Sequence, residues 1–211
     1  LNAIVDVDAA ERAGWRPLDL ARAFLEGGAR FLQLRGKGLP SAALLDTAAA
    51  VADEARAAGA IFIVNDRADV AALSGADGVH VGQEDLAPHA ARRVVGPEAI
   101  VGLSTHTEKQ IQEAAFEPAT YIAIGPVFGT STKVTGYAAV GLEMVRRARR
   151  IGKPVVAIGG ITIENVRSVI EAGADAVAVI GGLLGAGSPE ARVRAYIARL
   201  IERPAPRDRH V

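Results

Sequence analysis

The sequence contains no cysteine among its 211 residues. A disulfide framework and thiolate metal sites are therefore excluded, and a reducing, cytoplasmic setting fits the composition. It carries no net charge, because 24 Lys and Arg balance 24 Asp and Glu. A nucleic-acid partner calls for a strongly basic surface, so none is expected, and any anion site must be local. No apolar run reaches the roughly 20 residues that cross a bilayer, so no membrane partner is expected. The N-terminus lacks a basic segment followed by an apolar core, and no secretory leader is expected. With 50% hydrophobic and 23% charged residues, the composition is that of an ordinary globular domain with a sizeable core.

Short β-branched runs alternate with longer Ala-, Leu- and Arg-rich stretches throughout. Strands are expected at 3–7, 30–35, 61–65, 79–81, 100–103, 121–124, 155–158 and 176–180. Several read as continuous apolar runs, as buried parallel strands do. Helical spacing is expected at 18–26, 41–58, 69–73, 88–95, 107–115, 141–151, 164–172 and 189–202. Parallel strands require such crossovers. A recurring pattern supports the count: Gly75-Ala76-Asp77-Gly78-Val79 and Gly173-Ala174-Asp175-Ala176-Val177 both end a helix at glycine and start a strand almost at once, as does Gly28-Ala29-Arg30-Phe31-Leu32. Eight regular units in about 200 residues favour closure into a single (β/α)8 TIM barrel over an open doubly wound sheet. The barrel is expected over residues 1–203, with a loose tail at 204–211. A homodimer is compatible with this reading, though no sequence feature demands one.

In such barrels sites are built at the C-terminal ends of the strands. Strands three and four end in Asn65-Asp66 and Gln83-Glu84-Asp85. Asp66 and Asp85 on one rim suggest Mg2+, which takes one or two carboxylates and leaves its other positions to water and phosphate. The alternative for each is a helix N-cap. Strand two ends in Gln33-Leu34-Arg35-Gly36-Lys37, where alternate residues share a side, so Gln33, Arg35 and, if the strand persists, Lys37 project together toward a phosphate or diphosphate. Ser104 and His106 end strand five, and the long loop at 125–136 carries Thr130, Ser131, Thr132 and Lys133. Gly159-Gly160 and Gly181-Gly182 follow strands seven and eight, the usual phosphate site of such barrels. His106 is the one acid/base candidate, whereas His80, inside strand four, reads as a packing residue with core hydrogen bonds. No nucleophile–base pair stands out, so the chemistry expected is electrostatic, an ionisation followed by recombination.

These motifs, in this order, resemble the thiamine-phosphate synthase family. The matching stretches are Gln33-Leu34-Arg35-Gly36-Lys37, Val64-Asn65-Asp66-Arg67, Gly75 through Asp85, Gly102-Leu103-Ser104-Thr105-His106, Gly125-Pro126-Val127-Phe128 with Thr130-Ser131-Thr132-Lys133, and Ile158-Gly159-Gly160-Ile161-Thr162. The resemblance implies two small-molecule substrates, a pyrimidine diphosphate and a thiazole phosphate, joined with Mg2+ as cofactor. It implies that Asp66 and Asp85 hold the metal and that Gln33, Arg35, Lys37, Asn65, Ser104 and Lys133 contact the pyrimidine diphosphate, with Lys133, Arg35 and Ser104 closest to the chemistry. It implies that Thr130, Thr132, Gly160, Ile180 and Gly181 hold the thiazole phosphate. One departure is Gly181-Gly182, where many members have a serine. Two other readings stand beside this one: a thiazole tautomerase on the same barrel using His106, and a non-catalytic barrel that binds a phosphorylated metabolite.

Overall fold

The structure, a computed structural model, describes residues 1–129 and 136–202. The eight strands are β1 (Asn2–Asp6), β2 (Phe31–Arg35), β3 (Ile61–Asn65), β4 (Gly78–Val81), β5 (Ile100–Thr105), β6 (Tyr121–Ile124), β7 (Val155–Ile158) and β8 (Ala176–Val179). All neighbours are parallel, and β8 pairs with β1, so the sheet closes in the order β1 to β8. The expected single (β/α)8 barrel is therefore the fold observed. The expected tail at 204–211 lies outside the described residues, as do Thr130, Ser131, Thr132 and Lys133 in the loop after β6.

The helices are α1 (Val7–Arg12), α2 (Pro17–Glu26), α3 (Ser41–Ala57), α4 (Ala68–Ser74), α5 (Pro88–Val95), α6 (Glu108–Ala114), α7 (Gly141–Arg149), α8 (Val166–Glu171) and α9 (Pro189–Ile201). Most boundaries shift by one or two residues from expectation, β5 running on to Thr105, and two of the differences have local reasons. Val7 leaves the strand and starts α1, because the Asp6 carboxylate caps a six-residue helix by accepting from the Ala9 N–H at 2.9 Å. That helix is too short for periodicity to reveal. Helix α8 starts at Val166 rather than Glu164, because Asn165 Oδ1 accepts from the Thr162 N–H at 2.8 Å and holds 162–165 in a turn.

The two faces of the strands have different work. Outward residues such as Val5, Leu32, Leu34, Phe62, Val64, Val101, Ile122 and Val177 are buried against the helices. Helix α3 answers with Leu44, Ala48, Val51, Ala52 and Ala55, an apolar stripe at helical spacing. Each fully buried Val, Leu or Ile contributes on the order of 2 kcal/mol. Inward residues form a second, smaller cluster from Ile4, Ile63, Tyr121, Ala123, Val156 and Ala178. Two of these, Ala123 and Ala178, are small, and the inner face opens above them into a cavity.

The Gly-Ala-Asp repeat has a structural explanation. Asp77 accepts from the Phe62 N–H at 2.7 Å and returns its own N–H to the Phe62 carbonyl at 2.7 Å. Asp175 makes the same pair of bonds with Val155, both at 2.8 Å. Thr120 does likewise at Val101, at 3.1 and 2.7 Å. Each carboxylate or hydroxyl thus ties the start of one strand to the approach of the next, at the end of the barrel away from the site. Residues at that end serve stability in such folds.

Candidate active site

The inward face opens at the C-terminal rim into a cavity of about 320 Å³. Its wall includes Gln33 and Arg35 from β2, Asn65 from β3, His80 from β4 and Ser104 from β5. The opposite wall is Gly159-Gly160-Ile161 after β7 and Ile180-Gly181-Gly182 after β8. Of the residues expected at the site, Gln33, Arg35, Asn65, Ser104, Gly160, Ile180 and Gly181 therefore share one cavity. Thr130, Thr132 and Lys133 lie outside the described residues.

Lys37, Asp66 and Asp85 stand together at the rim rather than in the cavity wall. Strand β2 ends at Arg35, so Lys37 does not continue the Gln33–Arg35 row; its Nζ instead lies 3.1 Å from Asp66 Oδ2. The helix-cap alternative for the two aspartates does not hold, because the N-caps of α4 and α5 are Arg67 and Ala87. Asp66 takes φ +66°, a left-handed conformation that an Asp tolerates at a cost on the order of 1 kcal/mol. Its N–H donates to the His80 carbonyl at 2.7 Å, and its carboxyl reaches that of Asp85. Asp85 also accepts from the Gly82 N–H at 2.8 Å, which shapes the loop after β4.

Burial and then the neighbouring Asp85 hold the Asp66 carboxyl above the usual carboxylate range, with Lys37 opposing. Two neighbouring carboxylates, with Lys37 3.1 Å from one of them, form a donor set and a net negative charge that suit a hard divalent cation. Among the described residues there is no group of three or more His, Cys, Asp or Glu placed for a metal. A pair of carboxylates with water and phosphate completing the shell is the arrangement typical of Mg2+.

Sequence reasoning missed Asp6. Its carboxylate, at the end of β1, accepts from Arg35 Nη1 through one oxygen while the other caps α1. The sequence places Asp6 inside an expected strand at 3–7, and only the earlier end of β1 at Asp6 reveals the carboxylate at the rim. Arg35 Nε is buried and has no partner among the described residues, so the guanidinium is anchored on one side and has a donor left over.

Tyr121 was also missed. Its hydroxyl is 2.8 Å from His80 Nδ1, and His80 Nε2 is 2.8 Å from Ser104 Oγ. Nothing in the sequence joins residues 41 positions apart. His80 is thus held on both sides by core hydrogen bonds and also forms cavity wall. His106 lines the cavity too, with Nδ1 2.5 Å from the Gly125 carbonyl and its ring stacked on Tyr137 at 4.0 Å.

The glycine turns are braced from outside. Gly159 and Gly160 have φ of +96° and +63°, and a Cβ on either would stand 2.5 Å from the loop after β6. Behind them, Tyr196 of α9 donates to the Ile161 carbonyl at 3.0 Å, and Arg192, one turn away, donates through Nε to the Gly182 carbonyl at 2.9 Å. A Cβ on Gly182 would lie 2.3 Å from the Tyr196 hydroxyl. A serine at 182 would therefore require the Tyr196 brace to shift.

Comparisons with known proteins identify the family. The family model described as thiamine monophosphate synthase matches residues 1–183. The thiamine-phosphate synthase of Roseiflexus castenholzii is 46% identical over 185 residues, covering 87% of this chain and 81% of that one. That of Moorella thermoacetica is 44% identical over 183 residues, covering 86% and 87%. The solved structure of thiamine phosphate pyrophosphorylase from Pyrococcus furiosus superposes with a TM-score of 0.85 at 32% identity, over 94% of both chains.

Proposed function

The chain belongs to the thiamine monophosphate synthase family, and from that premise we propose how its rim performs the reaction. The enzyme is a transferase of thiamine biosynthesis. It condenses 4-amino-2-methyl-5-hydroxymethylpyrimidine diphosphate with 4-methyl-5-(2-hydroxyethyl)thiazole phosphate, giving thiamine phosphate and pyrophosphate. One observation carries the assignment of residues. A carboxylate–cation cluster (Lys37, Asp66, Asp85) and two glycine turns (Gly159-Gly160, Gly181-Gly182) share one rim.

In this reading the diphosphate lies toward the cluster. Arg35 and Lys37 donate to its oxygens, and Lys133 joins them by resemblance. Gln33, Asn65 and Ser104 orient the pyrimidine ring. Asp66 and Asp85 would hold Mg2+, which when bound supplies charge neutralisation to the departing diphosphate. The bond from the pyrimidine methylene to the diphosphate oxygen breaks, and both electrons leave with the oxygen. The ring amino group shares the positive charge left on carbon. The thiazole nitrogen then closes the new C–N bond with its own lone pair, so the chain need supply no strong base. Gly160, Ile180 and Gly181, with Thr130 and Thr132 by resemblance, hold the thiazole phosphate against backbone N–H groups.

Pyrophosphate release tests this directly. We expect release only when both substrates and Mg2+ are present. Release from the pyrimidine substrate alone would indicate a hydrolase with a leaky second subsite. Isomerisation of the thiazole phosphate without release would replace the assignment by the tautomerase reading.

The brace on the glycine turns makes a separate prediction. Tyr196→Phe deletes the bond to the Ile161 carbonyl, which leaves a buried acceptor unpaired at a cost of about 1–3 kcal/mol. The KM for the thiazole phosphate should rise several-fold, while that for the pyrimidine diphosphate stays near the parent value. Equal increases in both constants would mean that α9 supports the whole barrel rather than the phosphate turns.

A further inference from the structure

Inside the cavity wall, a short chain of hydrogen bonds runs from Tyr121 through His80 to Ser104, each link 2.8 Å. Tyr121 sits low on the inner face with its ring edge-on to Phe31, centroids 6.0 Å apart, and nearly parallel to His80, 5.6 Å apart. Space for the contact is made by Gly102: a Cβ there would lie 2.2 Å from Tyr121 Cζ and 2.4 Å from His80 Nδ1. The arrangement thus depends on four strands, β4, β5, β6 and, through Phe31, β2.

The direction of the chain follows from counting protons. Burial holds the Tyr121 hydroxyl well above its usual pKa, so it stays protonated and has one hydrogen to give. Among the described residues its only hydrogen-bond partner is His80 Nδ1. A buried hydroxyl proton without an acceptor is costly, so the phenol donates and Nδ1 accepts. The imidazole proton then sits on Nε2, which donates to Ser104 Oγ. With a lone pair occupied on that side, the Ser104 hydroxyl proton turns away from His80 and toward the cavity.

We propose that His80 and Tyr121 are positioning residues that fix the donor direction of Ser104 toward the heterocycle of the pyrimidine substrate. The inference rests on the assignment of Ser104 to that substrate. A hydroxyl held as a donor matches a ring nitrogen, which is an acceptor. The relay therefore selects a nitrogen heteroaromatic ring and sets its rotation in the cavity before the diphosphate leaves. Productive geometry within fractions of an ångström matters for such a step.

The test is a double-mutant cycle on kcat/KM for the pyrimidine diphosphate, with KM for the thiazole phosphate and thermal midpoints measured alongside. Ser104→Ala should lose roughly tenfold and Tyr121→Phe roughly three- to tenfold, the scale of one neutral hydrogen bond. In the Ser104→Ala background, Tyr121→Phe should cost almost nothing further, and neither variant should move the thiazole-phosphate KM. His80→Gln, which keeps an N–H near the Nε2 position, should retain more activity than His80→Asn, which does not. If Tyr121→Phe loses the same factor with and without Ser104, the relay is overturned. If Ser104→Ala is fully active, the assignment of Ser104 itself is overturned and the relay with it. Should Tyr121→Phe fail to fold, the same cycle run with His80→Gln and His80→Asn decides the matter.

Discussion

Replacing Asp85 with Asn is expected to abolish most activity while making the metal-free protein slightly more stable. Asp66 is held above the usual carboxylate range by burial and by Asp85. A carboxyl whose folded pKa is raised binds protons more readily in the folded state. Its destabilising contribution is therefore absent at acid pH, appears as pH rises through the window from its ordinary to its raised value, and persists above it. Asp85→Asn removes the like charge but keeps an oxygen to accept from the Gly82 N–H, 2.8 Å away. Near neutral pH this should add up to about 1 kcal/mol once solvent screening is considered, or about 2–4 °C in Tm for a domain of this size.

The same change removes one of the two carboxylates assigned to Mg2+. A lost contact to developing charge costs about 10²–10³ in kcat. The signature is thus opposite in sign for the two measurements: Tm up in chelator, kcat down in saturating Mg2+. A fall in both would mean that Asp85 is structural. Full activity would dispose of the metal assignment.

Asp6→Ala should produce the largest combined loss of stability and substrate binding. The Asp6 carboxylate is almost wholly buried, with its side chain 6% exposed, and that of its partner Arg35 is 14% exposed. Removing one member of such a pair leaves an uncompensated charge, at a cost of about 3–5 kcal/mol. The cap on α1 is lost in the same stroke, about 1 kcal/mol taken alone, though the two effects share a side chain and will not simply add. Asp6→Asn keeps an oxygen for the Ala9 N–H and should recover the cap but not the charge. In both variants Arg35 loses its anchor, so KM for the pyrimidine diphosphate should rise about tenfold or more, the scale of a charge-assisted hydrogen bond. Urea denaturation and steady-state kinetics read the two effects separately. Unchanged KM with lowered stability would show that Arg35 keeps its position without Asp6.

Most of the rim is legible in the order of residues, because it obeys one-dimensional rules. Val64-Asn65-Asp66 and Val81 through Asp85 each place a carboxylate just past a β-branched run, and strand ends can be located to within a residue or two. Gly159-Gly160 and Gly181-Gly182 are legible for the same reason. The position of Lys37 is not, since whether a strand persists two residues further depends on its neighbours. Strand β2 ends at Arg35, and Lys37 meets Asp66 instead. Asp6 reads as strand filler in the sequence, because a cap and an ion pair to the next strand both lie outside its own segment.

By itself, then, the chain's order of residues determined the eight-unit barrel, the family likeness and the short run of residues at each strand end. It could do so because strand alternation, helical spacing and turn glycine are local, with periods of a few residues. Only closure of the sheet decided which of those residues meet. Parallel pairing of β1 with β2 brought Asp6 to Arg35, and the neighbouring strands β4, β5 and β6 aligned His80, Ser104 and Tyr121 on one inner wall. Helix α9 set Tyr196 behind the glycine turns. Such contacts span 24 to 41 residues along the chain, and no local propensity encodes them. They follow from strand register around a closed ring, which sets residues of separate β/α units side by side on the inner face.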